Sequence, residues 1–313
     1  MNGDAALLLL ADSRLPAGGH AHSGGVEEAV RRGSVTGAGD LARFLRGRLA
    51  TAGLVTAALA AAACELAAAR DPGAPPPGDT ADGVSLWRRL DAEADARTAS
   101  PAQREAARLQ GRLLLRTARR MWPSAALDTL ARAVPDGPHH PVALGAAAAS
   151  AGCAPRQAAL AAAYTSVTGP ATAAVRLLGL DPVTVHRLLA DLATALDDTA
   201  RAACASLDDA IPEDDEPEEC GHQGHQTRLH QGHQPERHPA GHAPAHAAGH
   251  VAEQATEHAA GHPVEHAVEH AAWQARWHAQ WHARWHALPG HSAPALDLLA
   301  EGHLTNPMKL FVS

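Results

Sequence analysis

The chain has 313 residues, a length that allows one large domain or two. Alanine fills 75 positions, aromatic residues only 3%, and Ile211 is the single isoleucine. Sheets draw on β-branched and aromatic side chains, whereas Ala and Leu lose least in a helix, so the composition excludes a β-rich fold and predicts an all-α one held by close helix contact. The formal charge of −8 argues against a nucleic-acid partner, and Cys64, Cys153, Cys204 and Cys220 lack C-x-x-C spacing, which fits a reducing compartment without a disulfide frame.

The first eleven residues carry Asp4 and no basic leader, so they do not read as a signal peptide. The most apolar run, Leu54 to Cys64, is too short to cross a bilayer, and a cytoplasmic chain with no membrane partner is expected. Pro16-Ala17-Gly18-Gly19-His20-Ala21-His22-Ser23-Gly24-Gly25 is the densest non-helical motif. Its glycines permit positive φ, and Ser23 suits the cap of a following helix. Ala21-His22-Ser23-Gly24-Gly25 approximates a nucleophile elbow, but that device needs a preceding strand, and none is predicted. No G-K-[ST] occurs, so the chain is not itself a P-loop NTPase. His20 and His22 read as polar turn residues, because two ligands do not make a metal site.

Helix punctuation then runs to about residue 207. Starts are expected at Asp40, Ser100, Pro141, Pro155 and Asp181, and stops at Gly33, Gly137 and Gly152. Ser100-Pro101-Ala102-Gln103 is the clearest start, followed by one apolar face at Ala106, Leu109, Leu113, Leu114, Ala118 and Met121, until Trp122-Pro123 ends it. After Asp181-Pro182 a single stripe is expected through Val185, Leu188, Leu189, Leu192 and Leu196. The proline-rich segment from Asp71 to Gly83 reads as an exposed loop, His139-His140 as residues at a helix start, and His186 as solvated. About eight to ten helices result.

At Ile211 the composition changes. Glu213 to Glu219 is an acidic run around Pro217, and sixteen histidines follow between His222 and His291. Taking every fourth position from His222 to His286 meets only His or Gln, and Trp273, Trp277, Trp281 and Trp285 keep the same step. The pattern assigns residues 208–293 to a low-complexity insert between a body, 1–207, and a tail, 294–313. Gly and Pro weaken any helix before Val264, whereas 264–288 is free of both and can form one. On such a helix His278, His282 and His286 share a face, a spacing suited to a divalent metal such as nickel; the plainer reading is a tolerated four-residue expansion. No tightly bound cofactor is expected; nickel on the insert is the one candidate.

Leu7 through Glu27, the stretch around Leu15-Pro16-Ala17-Gly18-Gly19-His20-Ala21-His22-Ser23-Gly24-Gly25, resembles the opening of the UreF family of urease accessory proteins. Arg104-Glu105 with Gln110-Gly111-Arg112, then His139-His140-Pro141 to Gly145, then Ala173 to Leu177, resemble its middle and later helices; Ala293 to Asp297 and Lys309-Leu310-Phe311-Val312-Ser313 resemble its end. The likeness covers 5–207 and 293–313. His20 stands where many members carry an aromatic residue, Lys309 where they carry Arg, and the insert is not a family feature. The resemblance implies an all-helical, dimerising, non-enzymatic chaperone for nickel insertion. It would bridge UreD (also called UreH) to the GTPase UreG and act on the urease apoprotein. The expected contact residues are Pro16, Gly18, Gly19, Ser23, Gly24, Glu27, Arg176, Lys309, Leu310, Phe311 and Ser313. Two alternatives stay open: a nickel store built on the histidine tract, and a hydrolase using Ser23.

Overall fold

In the computed structural model of the chain, residues 3–12, 14–17, 22–69, 81–208, 263–291 and 293–311 are described, with side chains in the fifth and twelfth helices from residues 83 and 275 onward. The α-helical segments are α1 (Gly3–Ala11), α2 (Val26–Arg31), α3 (Ala38–Arg48), α4 (Leu54–Ala68), α5 (Ala81–Ala96), α6 (Pro101–Met121), α7 (Ala125–Ala133), α8 (His140–Ser150), α9 (Pro155–Leu178), α10 (Pro182–Asp191), α11 (Ala193–Asp208), α12 (Pro263–His286) and α13 (Pro294–Leu304). A π-helical turn, Leu49–Gly53, joins α3 to α4, which makes twelve helices and no strand among the described residues. The all-α expectation holds. With α3 and α4 counted as one, ten helices lie within 1–208, and α12 and α13 take the count beyond eight to ten; the stripe after Asp181 breaks at Leu192 into α10 and α11.

Local chemistry sets most helix ends. Ser100 Oγ accepts from the Gln103 N–H at 3.2 Å, and the Asp181 carboxylate accepts from the Val183 and Thr184 N–H groups. Gly33, Gly137 and Gly152 are left-handed where α2, α7 and α8 give way to turns. Of the loop expected over 71–83, residues 71–80 lie outside the described ones, and 81–83 are instead the first turn of α5.

Residues 1–211 and 278–313 form one compact unit, and 212–277 a second, of which the described part is the beginning of α12. In the first unit α4 is central, packed by α8, α9 and α11. Ala57 through Cys64 are all buried on α4, as are Pro141 through Ala148 on α8. Helices apolar all round belong in a core. The rod 38–68 is long and apolar enough to cross a membrane, longer than the run seen in the sequence, and 67% of its apolar window is buried inside the fold.

Small side chains allow unusually close approach. A Cβ on Gly145 of α8 would lie 2.2 Å from the Ala60 carbonyl oxygen of α4, and one on Gly111 of α6 would lie 1.9 Å from the Pro138 carbonyl oxygen. Beside Gly111 the start of α8 is pinned by charge: Asp91 Oδ1 accepts from the His139 N–H at 2.8 Å, and Arg108 donates to Asp91, Asp95 and the Gly137 carbonyl, each at 3.0 Å. Burial by itself would raise the Asp91 carboxyl, but hydrogen bonds and charge from His139, with the Arg108 charge, outweigh it and hold it below its usual value.

The end of α12 is core, although the sequence assigns it to the insert. Trp285 is fully buried, Trp281 and Leu288 nearly so. Arg284 pairs with Glu65 of α4 at 2.7 Å and donates to the Leu207 carbonyl of α11 at 3.0 Å, while Arg97 beyond α5 donates to the Trp285 carbonyl at 2.9 Å. In a chain so poor in aromatics, two indoles supply volume that alanine cannot.

Candidate functional site

The expected contact residues lie at three places in the sequence, and the fold gathers several of them. Gly24 and Gly25 have φ of 58° and 88°, and this left-handed pair turns the chain directly into α2. The turn aims Glu27 inward, and its side chain is buried. The last turn of α13 and the segment after it come back to this carboxylate: the Leu310 N–H donates to Glu27 Oε1 at 2.5 Å and the Phe311 N–H to Oε2 at 3.2 Å. A carboxylate taking two backbone N–H groups holds the tail as a helix cap holds a helix. The Arg176 guanidinium of α9 lies 5.0 Å from the centroid of the Phe311 ring, within cation–π range.

The tail is divided by this arrangement. Phe311 is buried, whereas Leu310 is 69% and Met308 83% exposed, with Lys309 exposed between them. Leu298 and Leu304 of α13 are exposed as well. Pro16 is exposed, and its carbonyl accepts from Thr117 Oγ1 at 2.9 Å. Gly18, Gly19, His20 and Ser313 lie outside the described residues.

Two residues that the sequence reading missed hold this site together. His303 is buried with Nδ1 3.4 Å from Glu27 Oε2 and Nε2 3.2 Å from the Phe311 carbonyl oxygen. Its position four residues after Leu299 and seven after Leu296, both buried, is the signal that puts it on the inner face of α13. Arg48 is the other. Pro170 stands inside α9 and brings no N–H, so the Ser166 carbonyl loses its helical donor. Arg48 Nε fills that place at 2.8 Å, and its NH1 donates to the Gly24 carbonyl at 2.9 Å. Burial, with no carboxylate pairing it among the described residues, pushes the guanidinium down to about 10, so it stays charged at neutral pH. No local pattern near residue 48 points to this.

Next to Glu27, the Glu28 side chain is fully buried and paired with Arg31 and Arg32. The Arg31 hydrogen bond, helped by Arg32 and opposed by burial, holds its carboxyl at about 2 against a usual 4.5. A folded value below the unfolded one stabilises the fold above pH 4.5, and the gain is lost as the pH falls towards 2. Glu28→Gln is therefore expected to cost about 2 kcal/mol at pH 7, discounted for the half-exposed arginines, with the deficit shrinking between pH 4.5 and 2. Urea titrations of both chains at pH 7 and pH 3 check this; an equal deficit at both values would refute it.

The Ser23 side chain is fully buried, and among the described residues its hydroxyl has no hydrogen-bond partner and no strand precedes it. His22 is buried too, contrary to a polar turn residue, and burial followed by the charge of His22 pushes neighbouring His140 down to about 4. His139 stands at the N-cap position of α8 without a side-chain cap hydrogen bond and His140 is the first residue of the helix, as expected of residues at a helix start, and His186 is exposed. On α12 the rings of His278 and His282 meet edge to face at 6.3 Å, and His286 Nε2 lies 3.2 Å from an Arg89 nitrogen. Among the described residues no three His, Cys, Asp or Glu side chains converge as metal ligands.

The UreF family model matches residues 35–193, from the turn before α3 to the start of α11. The chain is 48% identical over 208 residues to the urease accessory protein UreF of Mycobacterium sp. (strain JLS), which covers 66% of this chain and 89% of that protein. It is 47% identical over 206 residues to that of Mycobacterium marinum, covering 66% and 87%, and 43% identical over 205 residues to that of Mycobacterium tuberculosis, again covering 66% and 87%. With the family model spanning half the chain and these relatives matched over most of their length, the chain belongs to the UreF family of urease accessory proteins.

Proposed function

We propose that this chain serves urease maturation as a non-enzymatic adaptor. It links a UreD-type protein, the GTPase UreG and the urease apoprotein while nickel, the cargo, is inserted. Family membership gives the role in maturation; the adaptor role rests on the surface. The observation that carries it is the divided tail: Phe311 and the main chain are locked by Arg176 and Glu27, and the lock presents Leu310 and Met308 to solvent. Exposed apolar surface on an anchored segment supports a protein contact there. Body 1–207 and tail 294–313 act as one module in this reading, in the cytoplasm and as a homodimer within the assembly. Pro16, Gly18, Gly19, Ser23, Gly24 and Glu27 count among the contact residues in this reading.

Deleting Lys309–Ser313 is expected to leave helicity within a few per cent of the parent and to abolish co-elution with UreD, read by circular dichroism and gel filtration. Retained co-elution would refute the adaptor surface. The same co-purification tests the storage reading supported by the sixteen histidines: an adaptor brings down UreD and UreG, a store brings down nickel alone.

A further inference from the structure

Away from the tail, α6 and α7 form a second site with a local excess of positive charge. Arg112, Arg116, Arg119 and Arg120 are spaced at four, seven and eight residues, which puts them on one side of α6, and all four are exposed. Arg112, Arg116 and Arg119 rim a cleft of about 170 Å³ whose floor is Leu115, Val134 and Pro135. Arg112 donates to the Asp136 carbonyl at 2.9 Å, a neutral partner, and Arg119 pairs with Asp128 at 2.7 Å. Arg116 and Arg120 have no carboxylate among the described residues. One paired carboxylate thus faces four guanidinium groups, although residues 1–211 as a whole hold 21 arginines and 21 carboxylates.

We infer that this cleft docks an acidic peptide segment of a partner protein, one in which carboxylates flank an apolar side chain. The apolar floor receives the apolar side chain, and the guanidinium forks donate paired hydrogen bonds to the carboxylates. A nucleic acid fits less well: the lining has no aromatic side chain on which a base can stack. Opposite charge also speeds encounter, and the gain falls with salt. This inference stands apart from the tail surface, since it rests on other helices.

The test uses the full chain and a fluorescein-labelled Glu-Glu-Leu-Glu-Glu peptide, followed by fluorescence anisotropy in 50 and 300 mM salt. Saturable binding is expected that weakens with salt and disappears for the Gln-Gln-Leu-Gln-Gln analogue. Arg116→Glu, at an exposed position without ion pairs among the described residues, is expected to raise Kd at least tenfold, whereas Arg46→Glu, exposed on α3, changes it less than twofold. Failure to bind the acidic peptide, or equal loss in both variants, overturns the inference. So does displacement of the peptide by inorganic phosphate at equimolar concentration, which would mark a general anion site.

Discussion

Gly145→Ala is expected to lower stability by about 3 kcal/mol, because the added methyl has nowhere to go. Its three nearest neighbours would be the Ala60 carbonyl oxygen at 2.2 Å, Ala63 Cβ at 2.7 Å and the Cys64 nitrogen at 2.9 Å. All belong to the α4 backbone or to an alanine stub, so no flexible side chain can swing aside. α8 must move off α4, and the sheathing of Ala57 to Cys64 loosens with it. For a domain of this size the midpoint falls by roughly 10 °C, measurable by calorimetry. Gly47→Ala, on α3 with nothing within 4 Å of the new methyl, is the control and is expected to be neutral or to gain up to about 1 kcal/mol. Equal behaviour of the two variants would show that α4 and α8 do not approach this closely.

Trp285→Ala is expected to cost about 4 kcal/mol, the range for emptying a buried indole site. Trp285 is fully enclosed, its carbonyl is held by Arg97, and Trp281 lies 5.6 Å away ring to ring. His286→Ala, one residue on and exposed, is expected to stay within about 0.5 kcal/mol. Denaturant midpoints of the two variants against the parent decide whether the last turns of α12 are structural. A Trp285→Ala chain as stable as the parent would return them to the insert.

What could be read from the sequence was whatever chemistry is local. The Ser100 cap with Gln103, the Asp181 cap and the glycine stops are each decided within four residues, and each is found where expected. The break at Leu192 has neither Gly nor Pro to announce it, so α10 and α11 read as one helix. The four-residue copying pattern runs unbroken through Trp281 and Trp285, and repetition hid the change from insert to core. Glu27, Arg176 and Phe311 were each singled out, but that they meet is a property of the fold, since 284 positions separate Glu27 from the Phe311 N–H that it accepts. Arg48 could not be found because its role is written at Pro170, 122 positions away on another helix.

The contacts around Glu27 close on themselves. Gly24 leads through Arg48 to Ser166, and α9 carries that point ten residues on to Arg176. Arg176 meets Phe311, Phe311 meets Glu27, and Glu27 sits three residues from Gly24. A ring of this kind has no loose end at which strain can dissipate. The chain terminus and the glycine turn are therefore one cooperative object: a partner that lifts the terminus also unloads the turn, and one that grips the turn sets how firmly the terminus is held.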